Sequence, residues 1–284
     1  MIIKNVNSKD YIQIYNYQMQ FVSPHYFSTD YNCWLESFDN DIDGGGRKLF
    51  KTLFVKAIYN NEKMVGFIQY GETSFGFDDN GEISNDISYA VIRNFYFDEN
   101  RIDAAKCLLD AALNYFNKFN VIYAFFHYFG MSCFARHGKL FEKHRPIQKF
   151  LNDNGFVIEH ENVYYTLKIK DVNEVEIQLE VHELTQGNQQ CIDFMYNDKQ
   201  VGGCEIHLIN KDVAYLRWIY INDDIKGIGI GSKCMNALKH YLYQKQIKRF
   251  DTDTALKNNV AQHYYEKNGF ANTGITRSYI LISK

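Results

Sequence analysis

The sequence predicts two tandem copies of one α/β or α+β unit, each a mixed sheet with helices packed on it. Three observations carry this. Short matches recur in the same order in the two halves, strand-like runs alternate with runs of helical spacing, and the second half places a glycine-rich turn between a strand and a helix.

The repeat sets the domain count. Asn154-Gly155-Phe156, followed by Tyr165, Leu167 and Lys170, is matched 114 positions later by Asn268-Gly269-Phe270, Tyr279, Leu281 and Lys284. NNEKMVG (60–66) resembles YNDKQVG (196–202), AVIRNFYF (90–97) resembles AYLRWIYI (214–221), and Lys106-Cys107-Leu108 resembles Lys233-Cys234-Met235. These matches divide the chain into domains 1–171 and 172–284. The changing offsets locate the differences. The first copy is three residues shorter between its Phe97 and Lys106, and 13 residues longer between Lys106 and Asn154. The second copy has far fewer residues in front of its N-x-K-x-V-G match.

Each element has a local reason. FIQYG and CEIHLI follow turn residues at Asn60-Asn61 and Asn197-Asp198 and read as strands. AYLRWIYI (214–221) is rich in branched and aromatic residues, again a strand. In residues 232–246, Met235, Leu238, Leu242 and Tyr243 fall at helical spacing. RFDTDT (249–254) returns as a short strand, 258–268 forms a helix ended by Gly269, and SYILIS (278–283) is the last strand. The first copy follows the same order after a helix in SKDYIQIYNYQMQF.

Composition narrows the function classes. A net charge of −3 over 284 residues gives no basic excess for nucleic acid. The segment MIIKNVNSKD has no charged stretch leading into an apolar core, so no secretion signal is expected, and no apolar run approaches bilayer length. Six scattered cysteines without a C-x-x-C pair read as reduced thiols in the cytoplasm.

Chemistry concentrates in Lys226-Gly227-Ile228-Gly229-Ile230-Gly231-Ser232. Glycines at a helix start expose unpaired N–H groups at the positive end of the helix dipole, which is a phosphate cradle. The P-loop pattern fails, because Ser232 precedes Lys233. The dinucleotide pattern fails at its third glycine.

The stretch IYINDDIKGIGIGSKCM, with the downstream Asn258-x-x-Ala261-x-x-x-Tyr265-Glu-Lys-Asn-Gly-Phe270, resembles the GNAT N-acetyltransferase superfamily. The resemblance is strong over 172–284 and, through the repeat, weak over 1–171. It implies GNAT-like domains with mostly antiparallel sheets, and an acetyl-CoA-dependent transfer of an acetyl group to a primary amine of a small molecule or peptide, by direct attack in a ternary complex. Acetyl-CoA would be the cosubstrate, with no metal, no nucleic acid and no membrane involved. By the same resemblance, the backbone of Trp218, Ile219, Tyr220 and Ile221 would pair with the pantetheine arm. Lys226, Gly227, Ile228, Gly229, Ile230, Gly231 and Ser232 would hold the pyrophosphate, and Asn258 would contact the cofactor arm. Tyr265 matches the tyrosine that protonates the leaving thiolate, a feasible role because phenol and thiol acidities are close. The base is less clear. Tyr215 stands where the family often has a glutamate, which leaves Glu205 or His207 on a neighbouring strand as substitutes.

The first copy departs from this pattern twice. Its loop, FDENRIDAAKC (97–107), contains no glycine, and Leu151 stands in the place of Tyr265. It is therefore expected not to bind CoA in the usual way. Arg93 and Arg217 occupy matching places and are expected to make a shared structural ion pair. Residues 130–146 form a candidate acceptor loop containing Arg136 and His137. Zinc held by Cys133, His137 and His144 is disfavoured by spacing. Two alternatives to the transferase reading are a CoA-binding sensor or scaffold without turnover, and an aminoacyl-tRNA-dependent peptidyl transferase.

Overall fold

The computed structural model describes residues 1–26, 30–39, 42, 46–133, 139–170, 175–184 and 188–282. The chain forms two compact units. Unit 1 comprises Met1–Glu161 with Thr276–Lys284, and unit 2 comprises Asn162–Ile275.

Unit 1 opens with strand β1 (Ile2–Asn5), then helices α1 (Tyr11–Gln18) and α2 (Tyr31–Phe38), the latter capped by Asp30, whose carboxylate accepts from Cys33 N at 3.0 Å. Strands β2 (Phe50–Asn60) and β3 (Lys63–Thr73), a two-stranded hairpin of β4 (Gly76–Phe77) and β5 (Ile83–Ser84), and β6 (Ala90–Phe97) follow. Then come α3 (Ile102–Tyr115), β7 (Val121–Ala124), β8 (Leu140–Phe141), α4 (Arg145–Asp153) and β9 (Val157–Lys168). In unit 2, β10 (Gln178–Glu183), β11 (Gln189–Tyr196), β12 (Lys199–Leu208) and β13 (Val213–Ile221) lead to α5 (Ile230–Gln244), β14 (Arg249–Ala255), α6 (Asn259–Lys267) and β15 (Ala271–Ile282). The strands and helices read from the sequence are all present, and the fold class is as expected. Only β6 with β7 and β13 with β14 pair in parallel; the other described pairings are antiparallel.

The packing departs from the linear repeat in one respect. The last strands of the two copies, β9 and β15, each begin in one unit and end in the other. Thr166 to Asn162 of β9 pair with Asp251 to Ala255 of β14 inside unit 2, and Tyr279–Ile282 of β15 pair with Val121–Ala124 of β7 inside unit 1. The covalent repeat gives a boundary at 171/172, whereas the compact units take the far end of each strand from the other copy.

Each unit has its own apolar core. In unit 1, Ile14, Trp34, Phe38, Phe67, Phe95, Leu108 and Leu109 are fully buried between sheet and helices. In unit 2, Phe194, Cys204, Ile206, Leu216, Met235, Leu238, Leu242 and Phe250 make the corresponding cluster beneath α5 and α6. At about 1.5–3 kcal/mol for each large apolar side chain removed from water, these clusters hold the helices on the sheets; in unit 1, α1 and α2 lie on the face where Tyr17 and Phe38 meet Phe67, and α3 on the other, where Tyr115 and Phe116 meet Tyr70. In unit 1, α1 and α2 lie between β1 and β2 in sequence; in unit 2, β10 leads to β11 with no helix among the described residues.

Candidate functional site

The site in unit 2 begins with a divergence of two strands. β13 and β14 pair in parallel only from Val213↔Arg249 to Leu216↔Thr252; beyond that, Arg217–Ile221 and Asp253–Ala255 continue without pairing to each other. A register shift at Glu205/Ile206 leaves Arg217 as an extra residue opposite β12, a bulge that increases local twist and helps the strands part. Past Leu216, therefore, one edge of the β13 backbone is open, as the pantetheine role expected for Trp218–Ile221 requires. Ile219 and Ile221 pack on the core side, while Trp218 and Tyr220 lie on the other face.

At the start of α5 the loop has the conformation that glycine permits. Gly227 (φ 83°) and Gly229 (φ 93°) are left-handed, and a Cβ built on either would meet nothing within 4 Å. The main-chain N–H groups of Gly227, Ile228, Gly229, Ile230 and Gly231 donate to no described residue, whereas Ser232 N and Lys233 N bond to Gly229 O at 3.1 and 3.3 Å. Among the described residues, five unpaired amides thus gather at the positive end of a 15-residue helix, and no described side chain plugs them. The cradle fits a diphosphate. Gly231 serves packing instead: its carbonyl accepts from Tyr264 Oη at 2.8 Å, and a Cβ there would stand 3.1 Å from the Tyr264 ring. Lys226 is exposed beside the cradle and pairs with Asp223. Lys233, one residue past the loop, pairs with Glu176 at 2.5 Å.

Tyr265 is buried at the core side of the divergence, its ring 5.7 Å from that of Tyr165 and 5.5 Å from that of Phe270. Burial raises its phenol pKa, a hydrogen bond with Thr252 pulls it back, and the charge of Asp253 pushes it up again. It is thus a protonated donor at neutral pH. Tyr264 is only partly buried at the residue level, yet burial of its phenol holds its pKa far above the usual value. Asn258 caps α6, accepting from Ala261 N at 3.1 Å, so its side chain has a structural task at the position read as a cofactor contact.

Glu205 and His207 do share a strand face, but Glu205 is saturated. Its carboxylate accepts from Arg217 Nη1, His207 Nε2 and Trp218 Nε1, each at 2.8 Å. Burial alone would raise its pKa, but the hydrogen bonds from Arg217 and His207 outweigh this, and the net shift is downward. That weakens it as a base. Arg217 makes the ion pair expected of it; the described hydrogen bonds of Arg93 go to the carbonyls of Ser37, Phe38, Phe129 and Gly130.

A carboxylate that sequence reading passed over sits at the same divergence. Asp253 is the first residue of β14 past the last parallel pair, and it accepts from Tyr215 Oη (Oδ1) and Asn162 Nδ2 (Oδ2), both at 2.5 Å. Alternation along β14 puts Asp251 and Asp253 on the face away from the helices, with Phe250 in the core below. Asp251 is buried and tied to Arg249 and Tyr164. The one sequence signal was the alternating D-T-D within RFDTDT.

Unit 1 has the same divergence with different contents. β6 and β7 pair only over Ala90–Ile92 with Ile122–Ala124, and Arg93 is the bulge residue. Phe95 and Phe97 pack on Phe150 of α4, with ring centroids 5.7 and 5.3 Å apart. Leu151 is fully buried. At the start of α3, Asp103 accepts from Ala104 N at 2.9 Å and pairs with Arg101 at 3.0 Å, so a carboxylate occupies the mouth of that helix. Met131 and Cys133 of the expected acceptor loop are buried, while Arg136 and His137 lie outside the described residues. Of the disfavoured zinc set, His144 bonds to Ser23 Oγ at 2.9 Å. One group of metal-ligand type occurs among the described residues, Glu180, His182 and Asp193 on β10 and β11, with ligand atoms within 4.8 Å of one another. No described helix is long and apolar enough to cross a membrane.

Residues 156–270 match the protein-family model described as "Acetyltransferase (GNAT) family". That family implies acyl-CoA-dependent N-acetyl transfer. The whole chain has a two-domain GNAT-like fold. It is similar to a tandem GNAT protein from the clavulanic acid biosynthesis pathway, with a TM-score of 0.67 at 9% identity, over 100% of this chain and 98% of that one. A GCN5-related glucosamine N-acetyltransferase region of a fungal multi-domain GH3 β-N-acetylglucosaminidase gives 0.66 at 11% identity, over 99% of this chain and 38% of that one. A GCN5-related N-acetyltransferase from Sphaerobacter thermophilus gives 0.61 at 7% identity, covering 99% and 95%. At such identities these likenesses concern the fold. No curated protein matches the chain in sequence.

Proposed function

We propose that the chain is an acetyl-CoA-dependent N-acetyltransferase acting on a primary amine of a small molecule or peptide, with its active site in unit 2. The observation that carries this is the conjunction, at one divergence of two parallel strands, of five unpaired amides at a helix mouth and a buried protonated tyrosine. Gly227–Gly231 would hold the diphosphate, the open edge of Trp218–Ile221 would pair with the pantetheine amides, and Tyr265 would deliver a proton to the departing sulfur. Bound acetyl-CoA supplies an acyl group activated as a thioester. The capping bond of Asn258 supports an indirect role for it, in setting the start of α6 and so the placement of Tyr265.

We further infer that unit 1 does not hold CoA. Phe95, Phe97 and Phe150 fill the space that Ile219, Ile221 and Tyr264 border in unit 2, and Asp103 would repel phosphates at the mouth of α3. A groove of about 520 Å³ beside that mouth is lined by Arg145 and Lys149, but also by Glu99 and Asp153, a mixed rim and not an anion site.

The test is thiol release from acetyl-CoA across a panel of amines, polyamines, amino acids, aminoglycosides and peptides. Tyr265→Phe should retain CoA affinity and lose about 10²-fold or more in kcat, the usual contribution of general acid catalysis. CoA binding with no turnover on any acceptor would leave a sensor; no CoA binding at all would end both readings.

A further inference from the structure

In unit 1 the throat where β6 and β7 part is plugged by Phe95, Phe97 and Phe150, yet a cavity of about 340 Å³ stays open beside the plug, with Phe97 in its wall. Four stretches distant in sequence enclose it: the end of α1 with the turn after it, the start of β3, the residues that follow β6, and the approach to α4. By the repeat, the last two match 221–223 and 258–261 of unit 2, the stretches that flank the proposed cofactor path there. The volume falls within the range of small-molecule sites. Unit 1 thus keeps a cavity at the corresponding place, with a different lining.

We propose that this cavity binds a zwitterionic α-amino acid with an apolar side chain, which makes unit 1 a ligand-binding module. The proposal stands independently of the transferase reading. Phe21, Met64, Phe97 and Ile147 supply an apolar lining for the side chain. Charges of both signs converge on the same space. Asp98 lies close to the Tyr17 phenol, whose pKa is raised first by burial and then by the Asp98 charge. Lys143 donates to the carbonyl of Val22, five residues further along the same wall. Five residues of helix and tight helical turn rise about 8 Å. An α-amino acid spans such an interval with its ammonium toward Asp98, its carboxylate toward Lys143 and one hydrogen bond at each end.

Both charges are available to a ligand. The described donors to Asp98 are the backbone and side-chain amides of Asn100, at 3.0 and 3.3 Å, and both are neutral. Arg101 feels the Asp98 charge, but its guanidinium is bonded through Nε and Nη2 to Asp103, each at 3.0 Å. The described partner of Lys143 is a carbonyl, which leaves the ammonium its full charge. Exposed Lys63 and Glu99 add a second pair of opposite sign to the lining. His144 is neutral at pH 7, since burial lowers its pKa to about 4. Two cations and two anions therefore sum to zero, which favours a zwitterion over a plain anion or a plain cation.

The test is calorimetric titration of the full chain at neutral pH with L-leucine, L-methionine and L-phenylalanine. For the amino acid that binds, analogues without the carboxylate or without the ammonium (for leucine, 3-methylbutan-1-amine and 4-methylpentanoate) should bind at least about tenfold more weakly, the scale of one charge-assisted hydrogen bond. Asp98→Asn keeps an oxygen acceptor for Asn100, and Lys143→Met keeps most of the side-chain stem, so the fold should survive; circular dichroism checks this. Each variant should weaken the amino acid at least about tenfold. Asp98→Asn should leave the analogue without the ammonium unaffected, and Lys143→Met the analogue without the carboxylate, a selectivity that general loosening of the unit would not produce. If either variant fails to fold, Glu99→Gln and Lys63→Gln, at exposed positions, replace the pair with the same pattern expected. No saturable binding of any of the three amino acids below about 10 mM, equal affinity for the single-charge analogues, or binding that both variants leave intact would overturn the proposal. None of these outcomes bears on thiol release from acetyl-CoA, so the transferase reading stands or falls separately.

Discussion

Placing a carboxylate at the mouth of α5 tests the cofactor cradle directly. In Gly229→Asp the new side chain enters open space, since a Cβ there meets nothing within 4 Å, so no steric loss of fold is expected. The backbone at φ 93° does disfavour any L-residue, by about 1–2 kcal/mol. That strain is present with and without ligand, so it lowers the melting temperature, by about 2–8 °C for a chain of this size, and leaves affinity alone. The charge acts on binding. A carboxylate about 4–6 Å from a phosphate oxygen costs about 3–4 kcal/mol at an effective dielectric of about 20, reduced by salt at an exposed loop. A net loss of about 2–3 kcal/mol corresponds to a CoA dissociation constant raised about 30- to 150-fold. Gly229→Ala carries the same strain without the charge and is the control. Calorimetric titration of both variants with CoA, repeated at rising ionic strength, should show the Asp variant much weaker than the Ala variant and the gap closing with salt. Pantetheine, which lacks the diphosphate, should not distinguish them. If the two variants bind CoA alike while both stay folded, the amides of Gly227–Gly231 are not the phosphate site.

Two further outcomes follow from the contrast between the units. CoA titration should saturate at one equivalent per chain; a second equivalent that survives Gly229→Asp would show that the filled divergence of unit 1 opens. Burial lowers the His144 pKa from 6.5 to about 4. The unfolded chain therefore binds this proton first as pH falls, so the contribution of His144 is complete above about pH 6.5 and is lost progressively toward pH 4, by about 3 kcal/mol in total. Urea unfolding of wild type and His144→Gln between pH 7 and 4.5 should show the wild type losing more stability over that window; parallel curves would refute the assignment.

Much of unit 2 was legible because its signals are local. Gly227, Gly229 and Gly231 mark a glycine-rich loop, and the structure shows two of them left-handed and the amides of residues 227–231 without a partner among the described residues. The Asn258…Gly269 segment carries its own cap and stop, and α6 begins and ends there, with Gly269 at φ 88°. Asn61 and the Asn197-Asp198 pair take positive φ at their turns, as their residue types allow. The family pattern survives at just these places, because each is set by backbone conformation within a few residues.

What the sequence did not disclose depends on partners far along the chain. The exchange of β9 and β15 is decided by which open sheet edge each strand meets, and the two copies are alike enough that neither strand names its partner. The saturation of Glu205 requires Arg217 and Trp218 to arrive from β13, which the bulge at Arg217 makes possible. Asp253 reads as one acid in an alternating strand until Tyr215 and Asn162, 38 and 91 residues away, close on it. Sequence alone determined the elements, the repeat and the phosphate loop, since short-range sterics and hydrogen bonding fix them. Only the tertiary structure decided which carboxylate is held at the throat and which is consumed by neighbours, because a side chain's chemistry is set by the charges and donors that packing brings to it.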